Sequence, residues 1–156
     1  MTRLEILAPG LITTVQDWPG RVGYWGVGVP PSGAMDDQSL RLANLAVGNP
    51  EGAAGLEGTR GGLRLRADVP VTVCVGGAHV RPTVAGRPVA QWKPVPLAAG
   101  EELDIPVISG PGMRVYVAVR GGIDVQQYLG SSSTFTLGRF GGHEGRALTA
   151  GDTLAV

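Results

Sequence analysis

Met113-Arg114-Val115-Tyr116-Val117-Ala118-Val119-Arg120 is the stretch that decides the fold class. Met113, Val115, Val117 and Val119 alternate with Arg114, Tyr116, Ala118 and Arg120, and a period of two is the signature of a strand with one apolar face. The same period recurs upstream. Leu63-Arg64-Leu65-Arg66 alternates, and Val69, Val71, Val73 and Val75 point one way while Pro70, Thr72 and Cys74 point the other. Between these runs the chain is punctuated by 26 Gly and 12 Pro. Short strands separated by turns at this density predict a mainly β fold, a barrel or a sandwich. One clear helix, over about 35–47, is available to plug or cover an open end.

That helix is announced by the segment before it. Thr13 to Asp36, TTVQDWPGRVGYWGVGVPPSGAMD, puts Trp18, Tyr24, Trp25, Asp17 and Arg21 among glycines with no strand or helix periodicity. Irregular loops of this length in compact domains are usually functional or disordered, and this one carries too much apolar content for disorder. It reads as part of a binding surface. It leads into helical spacing at Leu42, Leu45 and Ala46, so a helix is expected to start near Ser32. Ser32 or Asp36 would cap it, Asp36 and Asp37 would sit at the positive dipole end, and Gly48 with Pro50 would end it. Free N–H groups at Ser32-Gly33 would then suit a carboxylate, carbonate or phosphate. A capped helix packed on a barrel with no ligand is the plainer alternative.

Composition excludes several function classes. The 156 residues suffice for one domain with a real core. Lys plus Arg equals Asp plus Glu at 13 each, so no basic field exists to recruit nucleic acid or an anionic membrane. A single cysteine, Cys74, rules out an internal disulfide and a multi-cysteine zinc site. No apolar run approaches membrane-spanning length and no signal-peptide core is present, so the expected location is cytoplasmic.

A second unusual region runs through Gly121-Gly122-Ile123-Asp124, Leu129-Gly130-Ser131-Ser132-Ser133-Thr134 and Gly141-Gly142-His143-Glu144-Gly145-Arg146. His143, Glu144 and Arg146 can supply a proton carrier, a carboxylate and an anion clamp. The alternatives are an Arg146 salt bridge to Asp152, Asp124 or Glu144, and a partly exposed loop histidine. Elsewhere, Leu97-Ala98-Ala99-Gly100-Glu101-Glu102-Leu103 is echoed by Leu148-Thr149-Ala150-Gly151-Asp152-Thr153-Leu154. The shared Leu-x-Ala-Gly-acid-x-Leu pattern reads as turn chemistry. Cys74 reads as a buried inert thiol. His79, after Gly76-Gly77-Ala78, is placed to face a cleft. With two His and one Cys, no metal site is expected from this chain alone. No nucleophile elbow, phosphate-binding Gly-Lys-Ser/Thr loop or Gly-x-Gly-x-x-Gly fingerprint is present.

Three blocks carry a resemblance: Thr14-Val15-Gln16-Asp17-Trp18-Pro19-Gly20-Arg21, Gly26-Val27-Gly28-Val29-Pro30-Pro31-Ser32-Gly33-Ala34-Met35-Asp36, and Ala43-Asn44 with Gly48-Asn49. Together they resemble the opening of the allophanate hydrolase subunit 2, or KipA-like, family. Val119 to Val125, Leu129-Gly130-Ser131 and Gly141 to Leu148 agree with it. The family includes the C subunit of 5-oxoprolinase and the A and B subdomains of the urea carboxylase carboxyltransferase. The resemblance implies a cyclophilin-like β-barrel that works with a subunit 1, or KipI-like, protein. Ser132 and Gln126 stand where the family more often has Arg and Pro. Members are also typically longer, by about a second half, so this single domain, 1–156, is expected to be a fragment, a split subunit or a degenerate copy.

The resemblance implies three functions. The first is a part of a biotin-independent, ATP-dependent 5-oxoprolinase that opens a small cyclic amide, with ATP bound at the level of the complex and a 5-oxoprolinase A-type subunit as further partner. A chain beginning at its own Met1 fits that reading first. The second is the carboxyltransferase portion of a urea carboxylase, using carboxybiotin. The third is a non-enzymatic antagonist of a kinase inhibitor. The working site has His143, Asp17 and Asp124 as catalytic candidates, and Arg21, Ser32, Gly33, Asp36, Arg120, Ser131 and Arg146 as binders of substrate or a developing oxyanion. Trp18, Tyr24 and Trp25 would form its wall.

Overall fold

In the computed structural model, which describes residues 2–156, the deciding stretch forms a strand whose two faces are both covered. Arg114–Val119 lies at the centre of a five-stranded antiparallel sheet and is buried from Val115 onward. Val115, Val117 and Val119 face the main core, while Tyr116 and Ala118 face outward and are also fully buried. What covers them is the helix.

In chain order the elements are β1 (Arg3–Pro9), β2 (Ile12–Gln16), α1 (Asp37–Val47), β3 (Gly55–Thr59), β4 (Leu63–Ala67), β5 (Val71–Gly77), β6 (Thr83–Val84), β7 (Arg87–Pro88), β8 (Val95–Leu97), β9 (Glu102–Ile105), β10 (Arg114–Val119) and β11 (Thr153–Ala155). A 3-10 turn occupies Trp25–Val27. One sheet has the order β11-β1-β4-β9-β6-β7, the other β2-β3-β10-β5-β8. The paired strands run antiparallel, and Leu4, Ile6, Leu65 and Leu103 from the first sheet meet Val15, Leu56, Val75 and Val117 from the second in one apolar core. Burying each such side chain stabilises the fold by about 1.5–3 kcal/mol, which is why the alternating pattern holds the register. The fold is mainly β with one α-helix, as the sequence predicts.

Three expectations need correction. The helix does not begin near Ser32: Asp36 is its N-cap, its carboxylate accepting from the Ser39 N–H at 3.1 Å, and Ser32 lies a turn upstream with φ 55. Nor does it plug an open end, because it lies flat on the outer face of the second sheet, packing Ala43 and Val47 on Cys74 of β5 and Ala118 of β10. Small side chains at all four contacts let the helix approach closely. Its buried face is also not the one that Leu42 and Leu45 mark, since these are 47% and 54% exposed. Ser39, Leu40, Ala43, Asn44 and Val47 face inward instead.

Two buried amides explain why polar positions win that face. Asn44 Nδ2 donates to the Ala53 carbonyl at 2.7 Å, and Asn49 Nδ2 donates to the Val119 carbonyl at 2.7 Å and to Asn44 Oδ1 at 3.0 Å. Asn49 Oδ1 accepts from the Gly121 N–H at 2.9 Å, so the network pins the helix end to β10. Gly48, at φ 83, closes the helix in the left-handed conformation that glycine adopts without a Cβ clash.

The echoed Leu-x-Ala-Gly-acid-x-Leu segments are equivalent turns. Glu101 accepts from the Ala98 N–H at 2.9 Å, and Asp152 accepts from the Thr149 N–H at 2.7 Å. Each acid also holds an arginine, Arg87 for Glu101 and Arg146 for Asp152. No helix among the described residues is long and apolar enough to cross a membrane.

Candidate functional site

The two irregular regions, far apart in sequence, meet at Asp17 and Arg21. Asp17 follows β2 and is buried. One carboxylate oxygen accepts from the Ser131 and Ser133 hydroxyls, and the other accepts from the Ser132 N–H at 2.6 Å. The Asp17 N–H in turn donates to Ser133 Oγ at 3.0 Å. Arg21 is 1% exposed, the largest fully buried side chain. Its Nε donates to the Tyr128 carbonyl and its Nη2 to the Ser133 carbonyl, both at 2.8 Å, while its guanidinium carbon lies 4.9 Å from the Phe140 ring centre. Burial pushes the guanidinium below its ordinary range, against the opposing pull of Asp17.

Glycine is needed at the next turn. At Gly141, with φ 70, a Cβ would fall 2.7 Å from Arg21 Nη2 and closer still to the Ser133 carbonyl. A cleft of about 470 Å³ opens beside it, lined by Gln126, Tyr128, Arg139, Phe140, Gly142 and Glu144.

The other candidates lie in separate settings. Arg146 forms a two-pronged pair with Asp152, at 2.7 and 3.0 Å, and also reaches Glu144 at 2.8 Å. His143 Nε2 lies 3.6 Å from Asp152 Oδ1. Hydrogen bonding from Arg146 holds the Asp152 carboxyl well below the usual carboxylate range. Arg120 donates to the Val47 carbonyl at 3.0 Å, closing the negative end of α1. Asp124 is exposed, its N–H bonded to the Ala155 carbonyl at 2.9 Å. The Gly33 N–H is taken by Gln16 Oε1 at 3.1 Å, so it is not a free anion donor. Trp18 is covered by the Arg41 guanidinium at 4.3 Å, Tyr24 is half-buried, and Trp25 is 70% exposed. The structure thus brings together Asp17, Arg21 and Ser131, with the Ser32-Gly33 backbone packed on the 17–21 loop, and it groups His143 with Arg146; Asp36, Arg120 and Asp124 have their bonds elsewhere, at the two ends of α1 and on Ala155.

Sequence reasoning passed over a second buried anchor, Glu57 with Tyr116. Glu57 Oε2 accepts from the Tyr116 hydroxyl and from the Met35 N–H, both at 2.7 Å. The Tyr116 hydroxyl accepts from the Asp36 N–H at 2.8 Å, which fixes the end of the long loop against β3 and β10. Arg114 Nε lies 3.4 Å from Glu57 Oε1. Burial first, and then the Glu57 charge, push the Tyr116 hydroxyl far up, so it stays a proton donor. The signal was present: Glu57 is a lone acid between Leu56 and Gly58 in an otherwise uncharged strand.

Residues 27–156 match the model of the carboxyltransferase domain, subdomain A and B. The chain belongs to this family. It is 47% identical over 150 residues to urea amidolyase of Lachancea kluyveri, covering 96% of this chain and 8% of that protein. It is 39% identical over 155 residues to the C subunit of 5-oxoprolinase from Escherichia coli, covering 98% of this chain and 49% of that one. The crystal structure of K. lactis urea amidolyase matches with a TM-score of 0.95 at 46% identity, over 97% of this chain and 9% of that chain. The carboxyltransferase-family chain therefore spans about half the length of the 5-oxoprolinase relative and a small part of the amidolyase.

Chemically, the Asp17 carboxylate in this carboxyltransferase-type domain accepts from three internal donors, two on one oxygen and one on the other. Arg21 gives its Nε and Nη2 to carbonyls that hold the 128–141 region, while its buried Nη1 has no hydrogen-bond partner among the described residues. Around these buried ions the loop surfaces are apolar: Val22, Trp25, Val27, Leu129 and Leu137 are all exposed.

Proposed function

We propose that this chain is a non-autonomous subunit of an amide-processing assembly, a biotin-independent, ATP-dependent 5-oxoprolinase, hydrolysing the cyclic amide of 5-oxoproline together with a subunit 1 protein and an A-type subunit. The observation that carries the non-autonomous part is that the Asp17 and Arg146 charges are spent on internal partners while an apolar loop surface is left exposed. Charges satisfied internally build a scaffold, and apolar side chains left outside suit a partner. The resemblance to the C subunit of 5-oxoprolinase supplies the substrate class. ATP belongs to the complex, since this sequence carries no phosphate-binding loop of the Gly-Lys-Ser/Thr kind.

His143 is the proposed proton carrier; its Nε2 lies 3.6 Å from Asp152 Oδ1, and its chain neighbours Gly142 and Glu144 line the cleft proposed to receive the amide. A second reading is favoured by the higher identity to urea amidolyase, 47% against 39%: carboxyl transfer from a partner's carboxybiotin to a small amide.

Co-expression with the cognate subunit 1 and A-type proteins separates these readings. Glutamate release from 5-oxoproline that needs ATP and all chains supports the first. A biotinylated partner and carboxylation of urea support the second, and stable binding of subunit 1 without either activity supports a regulatory partner. Full activity of His143→Ala in a competent complex removes the proton-carrier role.

A further inference from the structure

The segment 77–92 forms a cleft of about 430 Å³ that shares no residue with either loop region described above. It is built by a side chain acting as backbone: Gln91 Oε1 accepts from the Val80 N–H and Gln91 Nε2 donates to the Ala78 carbonyl, both at 3.0 Å. The Val89 N–H closes on the Pro82 carbonyl at 2.9 Å, and the Trp92 N–H on the Val75 carbonyl at 2.9 Å. Two strand-like arms are thereby held apart at a fixed width.

Trp92 is the unusual member. It has φ 64, a conformation that costs a bulky residue energy and that persists only where its surroundings enforce it. The reason for its position is Gly76, whose missing Cβ would sit 2.8 Å from the indole ring. One face of the ring is thus seated on bare backbone, and the side chain remains 42% exposed toward the cleft. Pro82, Pro88 and Val89 supply apolar walls, and the ionisable groups lining the space are both basic types, His79 and Arg81. Neither has a hydrogen bond or ion pair among the described residues, and no carboxylate lines the cleft.

We infer that this cleft is a binding site for a small planar-ring carboxylate, the ring stacking on Trp92 between the prolines and the carboxylate meeting Arg81. A flat aromatic face rewards a flat partner, and an unpaired guanidinium rewards a two-oxygen anion. A preformed, mostly apolar concavity with a few polar groups is the usual form of a small-molecule site. The site is independent of the amide-processing proposal, because none of its residues belongs to that cleft.

The test is a titration of the whole ¹⁵N-labelled chain with phenylacetate and, separately, with neutral phenylacetamide. Saturable shifts of the Trp92 indole N–H and the Gly76 and Gly77 amides are expected with phenylacetate, and about tenfold weaker binding with the amide. Arg81→Gln, at an exposed position, should weaken phenylacetate about tenfold and leave phenylacetamide unchanged. Equal affinity for acid and amide overturns the anion assignment. Absence of saturable shifts at Gly76, Gly77 and Trp92 up to about 20 mM overturns the site, since that limit already corresponds to negligible affinity.

Discussion

Asp17 and Ser131 are 114 residues apart in the chain and joined by a buried hydrogen bond of 2.8 Å. The bond makes the two irregular regions one rigid surface. Asp17→Asn replaces one acceptor with an N–H that faces other donors, so it should destabilise the fold by ~3 kcal/mol. Ser131→Ala removes one neutral-to-charged bond and should cost ~1–2 kcal/mol. Denaturant unfolding of both single variants and the double variant checks this, and strictly additive losses would show that the pair is not coupled.

Arg21 is the second clasp, and its shape matters as much as its charge. Lysine presents a point charge and has no fork to reach the Tyr128 and Ser133 carbonyls together from a place beside the Phe140 ring. Arg21→Lys is expected to lose ~2–3 kcal/mol and to increase amide exchange across 128–141. Unchanged exchange there, with stability retained, would mean that the guanidinium geometry is incidental.

The sequence made the strands legible because a two-residue period survives wherever one face meets the core, as in Leu63–Ala67. It misplaced the helix face because the inward positions include Ser39, bonded to the Asp36 cap, and Asn44, buried in a network whose partners lie in Ala53 and Asn49. Leucines at 42 and 45 were the louder signal and are on the outside. For the candidate site, residue types drew attention to Asp17, Arg21 and Ser131, which the fold brings together, but pairing across more than a hundred residues is set by topology. No local spacing encodes it. Arg146 was legible in both senses, since its acid partners Asp152 and Glu144 were among the alternatives.

Tyr116 bears on the loop from below. Removing its hydroxyl in Tyr116→Phe leaves the Asp36 N–H without its acceptor and takes one donor from the buried Glu57 carboxylate. The expected cost is ~1–3 kcal/mol, with the start of α1 loosened while β10 stays intact. Hydrogen exchange should rise at Met35 to Ser39 ahead of residues 115–119; equal changes in both would assign Tyr116 to general packing.

Cys74 offers a clean probe of the helix on the sheet. Burial pushes its thiol up to about 11, so at pH 8 about one part in a thousand is thiolate and the sulfur is covered by Ala43 and Val47. A disulfide reagent should label the folded chain orders of magnitude more slowly than the urea-unfolded chain. Rapid labelling without denaturant would mean that α1 lifts readily from β5 and β10.

Acid sensitivity should concentrate at Asp152. Its folded carboxyl is held below the usual carboxylate range, first by the Arg146 hydrogen bonds and further by the Thr149 N–H. For a depressed carboxylate, the stabilisation is fully present above the unfolded value near 3.9 and is lost as pH falls from there through the folded value. Asp152→Asn should therefore be less stable than wild type at pH 7 and fall less steeply between about pH 5 and 2, so that the two stability curves converge in acid. Thermal unfolding across that range is the measurement. Parallel curves would place the acid-sensitive ion pair elsewhere and leave Arg146 without the anchoring role that its geometry gives it.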